Sequence, residues 1–160
     1  LLDIAWKAAR KPARGGIPNF LCIAEPLEAL AAQLGRIADR VSVILPWGKL
    51  LRIIAAPEIA SLQQITNLCL PGATVDVVFS LDCERDAAEA SRLGISDLNE
   101  AHITSILPET YRAAGLHLAT AGRITHDELA TYETTWAKRL ASGRSRPVWR
   151  IQATAMSTGQ

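Results

Sequence analysis

The run Arg40 to Leu45 (RVSVIL), halted at once by Pro46-Trp47-Gly48, constrains this chain more than any other feature. Its β-branched and apolar residues read as a strand, and proline and glycine end it abruptly. The rest of the chain supplies partners at α/β spacing. Pro57 to Leu68 reads as a helix with proline in its first turn, Pro71-Gly72 as a turn, and Ala73 to Leu81 (ATVDVVFSL) as a second strand.

Upstream, Leu1 to Arg10 sets Leu1, Ile4, Ala5 and Ala8 at helical spacing and ends before Pro12 and Gly15-Gly16. Asn19 to Ala24 (NFLCIA) reads as a short buried strand and Pro26 to Leu34 as a short helix. Downstream, two short helices are expected around Glu84 to Leu93 and Pro108 to Ala114, within an irregular stretch from Asp82 to Gly115. Leu116 to Ala121 reads as a strand. Thr125, with Glu128 as its capping-box partner, opens one helix running to Ser142-Gly143, and Val148 to Ala155 closes the chain as a strand. This alternation predicts an α/β fold with a doubly wound, Rossmann-like sheet.

With 160 residues, 49% of them hydrophobic, the chain suffices for one packed core and is too short for two ordinary domains, so residues 1–160 are treated as a single domain or part of one. Its apolar stretches are broken by Lys49, Arg52 or a proline before membrane-spanning length, and no signal-peptide pattern opens it. A soluble, cytoplasmic chain without a membrane partner is expected. Cys22, Cys69 and Cys83 show no C-x-x-C spacing, and His102, His117 and His126 fall on separate elements, so neither a disulfide framework nor a metal site is indicated. A P-loop, a G-x-S-x-G elbow and an H-E-x-x-H pair are all absent. The acidic cluster Asp82, Glu84, Asp86 and Glu89 reads as a dipole-favoured helix start rather than as catalytic carboxylates.

Charge is segregated under a net value of only +1. Residues 1–19 and 134–160 hold nine Lys and Arg against Asp3 alone, while the middle carries eight basic and fifteen acidic residues. A basic face for a polyanion follows, or else a set of solvated helix ends.

Ligands of open α/β sheets bind beyond the carboxyl ends of strands, which directs attention to Leu45-Pro46-Trp47-Gly48. Trp47 either packs there or stacks on a ligand. Trp136 lies late in the Thr125 to Ser142 helix and is followed closely by Lys138, Arg139, Arg144 and Arg146. A ring interleaved with four cations suits base stacking beside neutralised phosphates, although an amphipathic helix with a buried tryptophan gives the same pattern. Trp6 and Trp149 read as packing residues.

The strings Lys11 to Asn19 (KPARGGIPN), Leu45 to Leu51 (LPWGKLL) and Trp136 to Arg144 (WAKRLASGR) together resemble the Kam/Npm family of aminoglycoside-resistance methyltransferases, in the family's order and at about its separations. The resemblance implies a class I S-adenosylmethionine-dependent methyltransferase sheet that methylates N1 of adenine 1408 in the decoding site of 16S rRNA, within the 30S subunit. It further implies that Trp47 and Trp136 clamp the flipped adenine, with Pro46 and Leu45 offering backbone contacts beside the transferred methyl group. Leu27, Glu28, Leu45 and Thr134 would line the cofactor pocket, and Glu25-Pro26 departs from the family's small residues there. Lys11, Arg14, Arg92, Lys138, Arg139, Arg144 and Arg146 match the basic residues that hold the rRNA backbone, so the Asp82–Gly115 and Thr125–Arg146 connections are expected to face RNA.

The family's first strands, its glycine-rich turn and the acidic residue for the cofactor ribose have no counterpart in this sequence, which matches the carboxy-terminal two-thirds of the family pattern. The expectation is a partial domain, inactive by itself and monomeric. Two other readings stay open at this point: an RNA-binding remnant without catalysis, and a Rossmann-like methyltransferase with another substrate in which both tryptophans are core.

Overall fold

The computed structural model describes residues 2–142 and 146–157. Helix α1 (Leu2–Ala8) is followed by a tight turn at Pro12–Arg14 and a stretch without regular structure up to α2 (Leu27–Leu34). Strand β1 (Ala38–Ile44), α3 (Lys49–Ala55), α4 (Ile59–Thr66) and β2 (Cys69–Phe79) form the next unit. It continues with α5 (Ala87–Leu93), a π-helical turn (His102–Ile106) leading directly into α6 (Leu107–Ala113), and β3 (Leu116–Arg123). Helices α7 (His126–Ala130) and α8 (Thr135–Ser142) then precede β4 (Trp149–Ala155).

The described strands make one mixed sheet in the order β1-β2-β4-β3, with β1 and β2 parallel and β4 antiparallel to both its neighbours. Parallel β1 and β2 need a crossover, which α3 and α4 provide. Side chains alternate across the sheet, and β2 shows the consequence best. Val75, Val77 and Phe79 are buried on one face with Val43, Ile151 and Ala153, against Leu51, Ile54, Leu62, Ile65, Leu107 and Tyr111. Each such side chain contributes roughly 1.5–3 kcal/mol of burial energy. On the other face Val78 joins Leu129, Ala137 and Val148 in a smaller cluster that seats α7 and α8.

Three expectations are corrected. Asn19 to Ala24 is not a strand; Phe20, Leu21 and Ile23 are exposed. A strand is stable only alongside another, and none of the described strands pairs with this segment. The helix expected from Thr125 to Ser142 breaks into two. Thr125 and Glu128 form the capping box of α7 as expected, but Thr134 starts afresh by capping α8, its hydroxyl accepting the Ala137 amide at 3.0 Å. A threonine hydroxyl competes with the backbone in this way, and Tyr132, at the break itself, bonds Asp76 on the sheet. Pro71-Gly72 lies inside β2 as an irregularity in its pairing with β1 rather than as a turn ahead of it. Helix α3 is an addition, since its residues directly follow the PWG turn and carry no start signal of their own.

Candidate active site

β1 stays zipped to β2 one residue past its end, because the Leu45 amide donates to the Val78 carbonyl at 2.7 Å. Leu45 itself has φ +49, the left-handed region that branched-carbon side chains rarely adopt. The ring of a following proline disfavours helical backbone for the residue before it, so the turn carries strain on the order of 1–3 kcal/mol. Pro46 is buried. Gly48, at φ 63 and ψ −137, supplies a conformation open to glycine alone and leads into α3. The turn therefore ejects the intervening Trp47, which is 56% exposed.

Trp136 sits on the first turn of α8 and is 63% exposed, while the adjacent Ala137 is fully buried in the smaller cluster and fixes the helix to the sheet. The two tryptophans line one cleft of about 250 Å³ at the carboxyl ends of β1 and β2, together with Leu45, Pro46, Ser80, Leu140 and Arg146. Motifs far apart in sequence thus meet in a single space walled by two indoles.

Its polar members are held from behind. Ser80 donates to the Pro147 carbonyl at 2.8 Å, and Arg146 is drawn inward into an ion pair with Asp86. Arg146 Nε is buried and has no hydrogen-bond partner among the described residues. Arg92 binds both oxygens of Glu89, at 2.8 and 2.6 Å, and the Gly48 amide also bonds that carboxylate. The Arg92 guanidinium holds the Glu89 carboxyl below the usual range, with the Gly48 amide acting in the same direction. Arg92 is consequently a brace for the PWG turn as well as a surface cation.

Of the residues expected to hold the cofactor, only Leu45 lines the cleft. Leu27 packs against the main core, and Glu28 reaches Lys49 Nζ at 2.5 Å, across the start of α3. The Lys49 ammonium keeps the Glu28 carboxyl below its ordinary value. Thr134 is half-buried, with its hydroxyl engaged in capping α8 beneath Trp136.

Lys11 and Arg14 are exposed on a loop folded over the end of α1, where the Ile17 amide donates to the Ala8 carbonyl at 2.8 Å. A side chain at Gly16 would overlap the Arg10 carbonyl, so the loop's path requires glycine there. Lys138 and Arg139 are exposed on the same helix as Trp136. Arg144 lies outside the described residues. Trp149 is buried as expected, whereas Trp6 is not a packing residue: it is exposed beneath the Arg10 guanidinium, 4.1 Å from its ring centre. A surface cation–π pair gives it a partner that burial would have removed.

Sequence reasoning missed Ser80, Lys49 and Glu89. Ser80 had a usable signal, since it follows β2 just as Leu45 follows β1, and neighbouring parallel strands share a ligand edge. Among the described residues no group of three or more His, Cys, Asp or Glu is placed to hold a metal ion, and no helix is long and apolar enough to cross a membrane.

Residues 1–155 match the family model described as NpmA, 16S rRNA (adenine(1408)-N(1))-methyltransferase. The chain is 30% identical over 155 residues to the 16S rRNA (adenine(1408)-N(1))-methyltransferase of Escherichia coli, covering 94% of this chain and 69% of that protein. Among solved structures it is similar to the aminoglycoside resistance methyltransferase NpmB1, with a TM-score of 0.81, 40% identity, and 98% of this chain against 70% of that one. It is also similar to a tryptophan-to-alanine variant of the 16S rRNA (adenine(1408)-N(1))-methyltransferase from Catenulisporales acidiphilia, a structure with cosubstrate SAM. The TM-score there is 0.80 at 31% identity, over 100% of this chain and 72% of that one.

Proposed function

Because this chain belongs to the 16S rRNA (adenine(1408)-N(1))-methyltransferase family, we propose that its cleft takes up one flipped adenine of 16S rRNA between Trp47 and Trp136 and presents N1 for methylation. The observation that carries this reading is the pair of exposed indoles lining a single cleft at the ligand edge of the sheet. Methylation of this base confers the aminoglycoside resistance named for the chain's relatives.

Extruding a base from folded RNA costs a few kcal/mol. Two indole faces contribute about 1–3 kcal/mol each and offset it without reading sequence. Adenine N1 is unprotonated near neutral pH, so its lone pair needs placement rather than a general base. The cleft agrees with that demand, since of its polar members Ser80 is committed to a structural bond and Arg146, a permanent cation, is no base.

S-adenosylmethionine, the family's cosubstrate, supplies a methyl group already activated on a sulfonium. The residues present fit one wall of its pocket. Leu45 turns at the carboxyl end of a parallel strand, and Glu28, kept ionised by Lys49, can accept from hydroxyl or amine donors. Leu27, Glu28, Leu45 and Thr134 are the residues that would hold it, with Pro46 backing the turn.

Lys11 and Arg14 on the basic loop and Lys138 and Arg139 on α8 serve in this proposal as phosphate contacts, joined by Arg92, Arg144 and Arg146. We place the substrate in the assembled 30S subunit and the protein in the cytoplasm as a monomer. The test is Trp136→Ala in a protein of the relatives' full length that includes this chain. Single-turnover methylation of 30S subunits should fall about 5- to 150-fold, the equivalent of one lost stack, while calorimetric affinity for S-adenosylmethionine is retained. An unchanged rate would overturn the base clamp.

A further inference from the structure

A polar network on the sheet face behind the cleft ends within four residues of Trp136. Asp76 lies on β2 between Val75 and Val77, so its side chain points to the face opposite the main core, and it is only 14% exposed. A carboxylate so placed needs several donors. It receives Nε of Arg150 at 2.8 Å, a second guanidinium nitrogen at 3.2 Å, and the Tyr132 hydroxyl at 3.2 Å.

Arg150 stands opposite Val78 in the β2–β4 register and Gln152 opposite Asp76, so the arginine reaches Asp76 diagonally across the sheet. Its guanidinium also lies 5.9 Å from the centre of the Tyr132 ring. Tyr132 occupies the break between α7 and α8, where the Thr134 amide donates to the Tyr132 carbonyl at 2.8 Å. Thr134 then caps α8, and Trp136 follows on its first turn. The sequence of contacts runs from sheet to Asp76, to Tyr132, to the cap, to the indole.

We propose that Tyr132, held by Asp76 and Arg150, is a positioning residue that sets the angle of α8 and thereby aims Trp136 into the cleft opposite Trp47. This rests on the base-clamp reading above. The geometry favours it over a purely stabilising role because, among the described residues, the apolar side chains of α8 belong to the smaller cluster and not to the main core. Its seat is the small cluster of Val78, Leu129, Ala137 and Val148, against which Tyr132 also packs and to which it adds a polar anchor at the helix's entrance. Apolar contacts are non-directional, whereas a hydrogen bond to a charged, doubly bound carboxylate fixes both distance and direction.

The test is a double-mutant cycle between Tyr132→Phe and Trp136→Ala, again in a protein of the relatives' full length, by single-turnover methylation of 30S subunits with enzyme in excess. Tyr132→Phe keeps the ring and removes only the hydroxyl. It should lower the rate at saturation about five- to tenfold, with half-saturation for subunits and affinity for S-adenosylmethionine unchanged. In the Trp136→Ala background the same substitution should have no further effect, because there is no indole left to aim. A rate loss undiminished in that background, or no loss in the parent, overturns the proposal. Should Trp136→Ala itself run at the parent rate, it is the base clamp that fails, and the two failures are thereby told apart. Asp76→Asn, which leaves an acceptor but no charge, should reproduce Tyr132→Phe in both backgrounds; if it does not, Asp76 is not the anchor.

Discussion

Arg92 and Glu89, one helical turn apart on α5, form a two-point ion pair that closes against the Gly48 amide of a different element. The pair couples the irregular connection after β2 to the turn that carries Trp47. It gives Arg92 two separable jobs, as a brace and as a cation. Glu89→Gln and Arg92→Ala should therefore both lower the thermal midpoint, while Arg92→Ala alone should reduce the salt dependence of subunit binding. Equal salt slopes for the two variants would confine Arg92 to the brace.

Gly48→Ala tests the turn from its other end. The added methyl would meet Arg92 at an ordinary 3.6 Å, so space is not the obstacle. Its backbone conformation is, and a loss on the order of 1–3 kcal/mol in urea unfolding is expected. A neutral result would mean that the turn relaxes to a conformation any residue accepts.

The proposed phosphate contacts on α8 are tested by charge reversal. Lys138→Glu and Arg139→Glu should each weaken subunit binding and lower the slope of log affinity against log salt by about one. Both are measured by filter binding across a salt series. Affinity for S-adenosylmethionine should not change, which separates a lost phosphate contact from a misfolded helix.

Acid sensitivity follows from three carboxylates whose folded-state pKa is depressed. Glu28 is lowered chiefly by Lys49, Glu89 chiefly by Arg92, and Glu128 chiefly by the Thr125 amide. A group lowered on folding adds stability above its ordinary value, 4.5 here, and loses it as pH falls through the depressed value. Melting temperature should be flat from neutral pH to about that ordinary value and decline below it. Glu28→Gln should make the decline shallower, and the same decline in that variant would remove Glu28 from the set.

Much of the architecture was legible because burial and backbone chemistry act locally. RVSVIL and ATVDVVFSL became the parallel pair at the centre of the site, and Thr125 with Glu128 made the capping box they announced. What escaped was decided at long range. NFLCIA has the composition of a strand, yet a strand exists only by pairing, and composition says nothing about whether a neighbour is at hand. The last long helix splits where Tyr132 meets Asp76, more than fifty residues away in sequence, a contact no periodicity announces. The site was half legible for a related reason. Trp47 and Trp136 stood out by type and setting, whereas Ser80 and Lys49 matter only through neighbours that the fold delivers.

The left-handed Leu45, locked between the Val78 carbonyl and the Pro46 ring, has one more implication. A wall whose backbone is already pinned from both sides has little disorder to lose when a ligand docks, so association there should show a small entropic penalty for the protein itself. On the base-clamp proposal, discrimination between bases then falls to shape, since a backbone pinned in this way does not remould itself around a poor fit.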